Sequence, residues 1–147
     1  MPESPYAMIS VEEAVATVLG AVTPLAPVRV PFLDALGLVL AEDVYADEPM
    51  PPFAASAVDG YAVIAADSSP LREVIGEQAA GHVTGVRVVT GTAVRVMTGA
   101  PIPPGADAVV MLEDTAEEAG NRVRLTAMVT AGTHIRPIGQ DLAAGQR

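Results

Sequence analysis

The chain has no cysteine and no lysine, and each absence removes a class of chemistry. Without thiols there is no thiolate nucleophile, no cysteine-bound zinc or iron–sulfur cluster and no disulfide. Without lysine there is no Schiff-base amine and no phosphate-loop lysine. All fixed positive charge rests on arginine: eight basic residues face 18 carboxylates, for a net charge of −10. Such a balance repels phosphate backbones and argues against general nucleic-acid binding. An anionic ligand would have to be held locally, by backbone N–H groups, by one or two arginines, or by a cation bridging it to carboxylates. Long apolar runs are missing too, since none approaches the roughly 18 residues a membrane span needs. The opening residues Met1 to Pro5 lack the basic and apolar parts of a secretory signal. A cytoplasmic protein with no membrane contact is the expectation. Half of the residues are hydrophobic, enough for one core or for two small lobes sharing a chain crossing.

What is present begins with a helix. Ser10 and Glu13 form a capping-box pattern, and Val11, Ala14, Val15, Val18 and Leu19 share one helical face. Gly20 suits the stop and Pro24 forbids continuation. A short helix is expected over 34–36, ending at Gly37. Beyond it the pattern turns to β, with strands expected at 38–41, 61–65, 86–89, 93–97, 108–112, 123–129 and 134–135. Thr90-Gly91-Thr92 and Gly120-Asn121 read as hairpin signals. Thirteen glycines and thirteen prolines suit short, bent strands with tight connections. Pro49, Pro51 and Pro52 force an extended segment, and a Gly/Pro-rich return lies at 132–139. These two places mark a lobe of about 50–138 inserted between two segments of a second lobe. The run from Asp141 to Arg147 reads as a turn entering another strand, so a cut at Arg147 is expected.

Four stretches carry candidate chemistry. In Ser56-Ala57-Val58-Asp59-Gly60-Tyr61-Ala62-Val63, Asp59-Gly60 is either a plain hairpin turn or a carboxylate fixed between a proline-stiffened arm and a strand. Thr98-Gly99 either bends the chain at a strand end, or offers a hydroxyl and approachable backbone N–H groups to an oxyanion. Asp107, after Gly105, reads as a turn or capping group, Glu113 as a solvated edge charge rather than the ligand it could also be, and Glu117-Glu118 as a solvated turn. Arg136, between Ile135 and Pro137-Ile138, calls for a carboxylate or an anion, and Asp141 follows five residues on. Arg136 could hold a phosphate or oxyanion and Asp141 a divalent cation. Neither His82 nor His134 has a partner at metal-ligand spacing, and both read as structural or exposed.

In this order and spacing the four stretches resemble the N-terminal region of the molybdopterin molybdenumtransferase family, the MoeA proteins and the E domain of gephyrin. The resemblance runs from about Ile9 to Gly145 and takes in Asp34-Ala35-Leu36-Gly37, Ala41-Glu42-Asp43-Val44, Met97 to Pro101, Pro104 to Val110, Arg136 and Gly139-Gln140-Asp141. Val58 stands where the family usually has Met or Lys, His134 where Asn is common, and Gln140 where the family has Glu. The implied fold is mainly β with an N-terminal helix: an elongated linker lobe carrying an inserted lobe of short bent strands. The implied division is a helical segment at 1–26, a linker lobe at 27–49 with 139–147, and the β lobe at 50–138.

The resemblance also implies an activity: insertion of molybdate into adenylylated molybdopterin, with release of AMP and formation of molybdenum cofactor. Mg2+ is the implied cation. Carried over by position, Asp59, Thr98 and Asp141 are the catalytic candidates, Ser56 and Arg136 the cofactor-binding ones, and Asp59 and Asp141 the metal ligands. A homodimer and an upstream molybdopterin adenylyltransferase are the implied partners. In the family a pterin-binding α/β domain and a further β domain follow, so this chain supplies one wall of the site and is expected to be inactive alone. The helix would then pack on the α/β domain, leaving Val11, Val15 and Leu19 exposed within this chain. The alternative is a non-catalytic β scaffold or assembly module of the same family.

Overall fold

A computed structural model describes residues 8–81 and 84–147, in two compact units, Met1–Asp43 and Val44–Arg147. His82 lies outside the described residues.

In the first unit, helix α1 spans Val11–Ala21. The capping box forms in both directions: the Ser10 hydroxyl accepts from the Glu13 N–H at 3.1 Å, and the Glu13 carboxylate accepts from the Ser10 N–H at 3.0 Å. The helix runs through Gly20 and stops only at Val22, whose backbone is extended. The restriction that Pro24 places on the chain before it ends the helix, rather than the glycine. Val11, Val15 and Leu19 are 75, 50 and 65% exposed. The expected short helix lies earlier, as a 3-10 turn over Phe32–Asp34, and 38–41 forms no strand.

Among its described residues the second unit holds eight strands: β1 (Ala55–Ser56), β2 (Gly60–Val63), β3 (Leu71–Gln78), β4 (Thr92–Val96), β5 (Ala108–Met111), β6 (Thr115–Glu118), β7 (Arg122–Leu125) and β8 (Ile135–Arg136). Six of them form one sheet in the order β5-β2-β4-β3-β7-β6, and β1 pairs with β8. Alternation along β2, β4 and β5 divides the core between the two faces of this sheet. Tyr61, Val63, Ala93, Ala108, Val110 and Val123 pack on one side. Ala62, Val88, Val94, Val96, Ala100 and Val109 pack on the other.

Three sequence expectations change here. β3 was not expected, because its buried positions Arg72 and Gln78 are polar. The segment 86–89 is not a strand: β3 and β4 run parallel, so the chain between them is a crossover rather than a hairpin arm. The Gly120-Asn121 hairpin does form, but its first arm is β6, which contains the supposed turn Glu117-Glu118. Two polar staples hold the unexpected strand. The Asp67 carboxylate accepts from the N–H groups of Ser69 and Gly91 and lies 3.4 Å from Nε of the buried Arg72, whose Nη2 donates to the Asp67 carbonyl. Gln78 donates to the Pro101 carbonyl and accepts from Thr84.

The chain enters and leaves this lobe side by side. Ala46 N–H donates to Gln146 O at 2.9 Å, Met50 N–H to Leu142 O at 2.8 Å and Gly139 N–H to Pro51 O at 2.9 Å. The crossing thus joins 46–51 to 139–146, and the unit boundary after Asp43 falls inside the segment expected at 27–49.

Candidate functional site

Strand β1 is a two-residue strip with neighbours on both edges. On one edge Ser56 N–H donates to Ala100 O and Gly99 N–H to Ser56 O, each at 2.9 Å. On the other, Ala55 pairs with Arg136 and Ser56 with Ile135, and Ala57 N–H reaches His134 O at 2.9 Å. Residues far apart in sequence therefore flank one short backbone segment.

Past β1 the chain turns through Asp59 into β2. Gly60 is needed here for closeness, not for a left-handed backbone: a Cβ on it would lie 2.0 Å from the Val110 carbonyl oxygen. This rules out the plain hairpin account of Asp59-Gly60. Asp59 meets Thr98, whose backbone N–H and hydroxyl both donate to Oδ1, at 2.6 and 2.8 Å. Gly99, at φ +80°, makes the turn that presents both donors. The Thr98 N–H and then its hydroxyl hold the Asp59 carboxyl below the usual carboxylate range; desolvation opposes them, and the charge of Arg95 adds the least. Asp59 and Thr98 are both exposed. Among the described residues nothing donates to Oδ2, so one carboxylate oxygen is anchored and the other is open.

The second cluster sits on the β8 side. Arg136 Nη2 donates to Asp141 Oδ2, with both side chains partly exposed. They satisfy one another, so Asp141 is not a bare ligand and Arg136 is not a bare anion hook. Ser56 is fully buried, and its hydroxyl donates to the Val58 carbonyl at 2.6 Å. It shapes the turn leading to Asp59 and offers no surface group. His134 is not a strand residue: its φ is +54°, its Nδ1 donates to the Val109 carbonyl at 3.0 Å, and its carbonyl anchors Ala57. Asp107 brackets a turn, accepting from Ala65 N–H at 2.7 Å, and Glu113 is exposed.

The structure thus brings Asp59 to Thr98, and Arg136 to Asp141, at different stations along β1. Among the described residues no three Asp, Glu or His side chains converge as an all-protein metal cage. The donor set does fit a magnesium ion that takes one or two carboxylates and completes its shell with water and substrate phosphate. Sequence reasoning passed over Arg95, although a charge between Val94 and Val96 in an apolar strand was a legible signal.

This architecture is that of MoeA proteins. A molybdopterin biosynthesis moeA protein from Pyrococcus horikoshii OT3 superposes with a TM-score of 0.75 at 40% identity, over 80% of this chain and 32% of that one. A second such structure from that archaeon gives 0.74 at 31% identity, over 95% of this chain and 37% of the other. Among curated sequences, molybdopterin molybdenumtransferase 2 of Mycobacterium tuberculosis is 40% identical over 145 residues, covering 94% of this chain and 36% of its own length. Gephyrin of Dictyostelium discoideum is 33% identical over 160 residues, covering 97% of this chain and 22% of its own length. The family pattern described as MoeA N-terminal region (domain I and II) matches residues 9–147, and the chain belongs to this family. It spans roughly a third or less of the length of the curated relatives it matches. No helix among the described residues is long and apolar enough to cross a membrane.

Proposed function

We propose that the chain forms the N-terminal part of a molybdopterin molybdenumtransferase, which inserts molybdate into adenylylated molybdopterin with release of AMP. The observation that carries this is Asp59, ionised and oriented by two donors from Thr98 on one oxygen, with the other oxygen open. Asp59 and Asp141 are the residues that would hold magnesium, which supplies charge neutralisation between anionic oxygens when bound. Thr98 keeps Asp59 charged and fixes its direction. Arg136 takes an oxyanion of the substrate, and in doing so gives up Asp141, whose carboxylate then becomes available. Ser56 acts through the turn rather than by contact. The remaining wall of the site comes from segments of the kind the longer relatives carry, in a cytoplasmic homodimer supplied by a molybdopterin adenylyltransferase.

The scaffold reading draws on two observations, the mutual satisfaction of Arg136 and Asp141 and the burial of Ser56. Asp59→Asn separates the two. An Asn carbonyl accepts the same Thr98 donors, so the variant keeps the fold. AMP release by a catalytically complete protein carrying this chain falls about 100-fold or more, because the charge that holds the cation is gone. Unchanged turnover in the folded variant refutes the enzymatic role of Asp59 and leaves the scaffold.

A further inference from the structure

Ser56, Arg72 and Gln78 are polar side chains buried in the β lobe. Arg72 is matched by Asp67, and the Ser56 hydroxyl bends the chain towards Asp59. Gln78 is 1% exposed and closes β3, where an apolar residue would fill the space without the cost of burying an amide. The reason for an amide there lies in what it grips.

The turn from Met97 to Pro101 follows β4 and carries Thr98 and Gly99 in its middle. Pro101 and Pro103 have no N–H, so neither ties this segment down through a backbone donor of its own. Gln78 holds the segment at both ends. Its carbonyl accepts from the Met97 N–H at 3.2 Å, and its side-chain Nε2 donates to the Pro101 carbonyl. The Thr84 hydroxyl donates to Oε1 at 3.3 Å, which leaves the amide nitrogen for Pro101. Between those ends the Gly99 N–H donates to Ser56 O, and Ala100 O accepts from the Ser56 N–H, each at 2.9 Å. A turn fixed at so many points presents the Thr98 N–H and hydroxyl in one direction, onto Oδ1 of Asp59.

We propose that Gln78 is a positioning residue: by clamping both ends of the Met97–Pro101 turn it aims the Thr98 donors at Asp59, and so sets where the open carboxylate oxygen points. Gln78 bonds to neither Asp59 nor the Thr98 side chain and acts through the turn alone. Its effect on turnover rests on the proposed transferase reading, while its effect on the Thr98–Asp59 pair is testable on this chain.

The experiment is amide hydrogen exchange of the 15N-labelled chain, together with the proton shift of the Thr98 amide. The parent is compared with Gln78→Met, which keeps the length of the side chain and removes its polar end. Exchange at Thr98 is expected to quicken about tenfold or more relative to the buried Val110 amide, the loss of one hydrogen bond to a charged acceptor. The Thr98 proton is expected to move upfield as the carboxylate is lost. Val123→Ala, which opens a gap in the core cluster that contains Val110, is the control: it quickens Val110 and leaves the Thr98 shift in place. Where Gln78→Met does not fold, Gln78→Asn is read instead, since its shorter stem cannot reach Pro101 and Thr84 together. An unmoved Thr98 overturns the proposal, and so does quickening of Thr98 and Val110 by the same factor, which marks a general loss of stability. In a catalytically complete protein, Gln78→Met lowers kcat with a smaller effect on KM. A Thr98 response with unchanged turnover keeps the clamp and refutes the part given to Asp59 in the transferase reading instead.

Discussion

Gly60→Ala is the substitution whose cost the structure fixes most tightly. The added Cβ would stand 2.0 Å from the Val110 carbonyl oxygen and 2.9 Å from its carbon, where contacts under 3.0 Å essentially never occur. Relief requires β2 and β5 to separate by about 1 Å. Neither strand can give locally, because Gly60 to Val63 and Ala108 to Val110 are all buried. A ladder bond stretched by that much is lost. One or two such bonds at about 1 kcal/mol each, added to an overpacking cost of about 1–3 kcal/mol, give roughly 2–5 kcal/mol. For a chain of this size that lowers Tm by roughly 4–20 °C. Thermal unfolding followed by circular dichroism, with urea unfolding for the free energy, measures it. The control is Gly99→Ala, where the backbone is left-handed but nothing lies within 4 Å, so only about 1–2 kcal/mol of conformational strain is expected. A Gly60→Ala chain within about 1 kcal/mol of its parent, or less damaged than Gly99→Ala, would refute the close-approach account.

Two further outcomes concern charge. Asp67→Ala leaves the buried Arg72 without its counter-charge and frees the N–H groups of Ser69 and Gly91, so a loss of about 3–5 kcal/mol is expected by urea unfolding. The carboxyls of Asp59 and Asp67 are both held low, chiefly by backbone N–H donors. Their contribution is therefore complete above the unfolded value of about 3.9 and is lost as pH falls through the lower folded values. The urea midpoint should be flat above about pH 5 and should fall below about pH 4, less steeply in Asp67→Asn. A midpoint that rises on acidification below pH 4 contradicts this.

Legibility followed the kind of force at work. The helix was readable because its cap is local: Ser10 and Glu13 bond to each other across three residues. β2, β4, β5 and β7 were readable because their burial is apolar. β3 was hidden because polar Arg72 and Gln78 fill its interior positions, and their partners Asp67, Pro101 and Thr84 are set by the fold. The parallel pairing of β3 with β4 leaves no local signature, so the valines of 86–89 looked like a hairpin arm. At the site, the residue types at Asp59, Thr98, Arg136 and Asp141 were legible through their motifs. Their pairing two by two was not, since it depends on which edge of β1 each segment joins.

The crossing that joins 46–51 to 139–146 has a consequence for how such a lobe can spread and be handled. A segment whose two ends already lie one hydrogen bond apart can be grafted into a surface turn of another protein with little closure entropy to overcome. It can equally be excised, its ends joined by a tight turn, and studied as a small domain. Between those ends the lobe can lengthen, shorten or exchange strands without altering the path of the host chain. What the host receives at the graft point is a pair of adjacent stubs, the same two whatever lies between them.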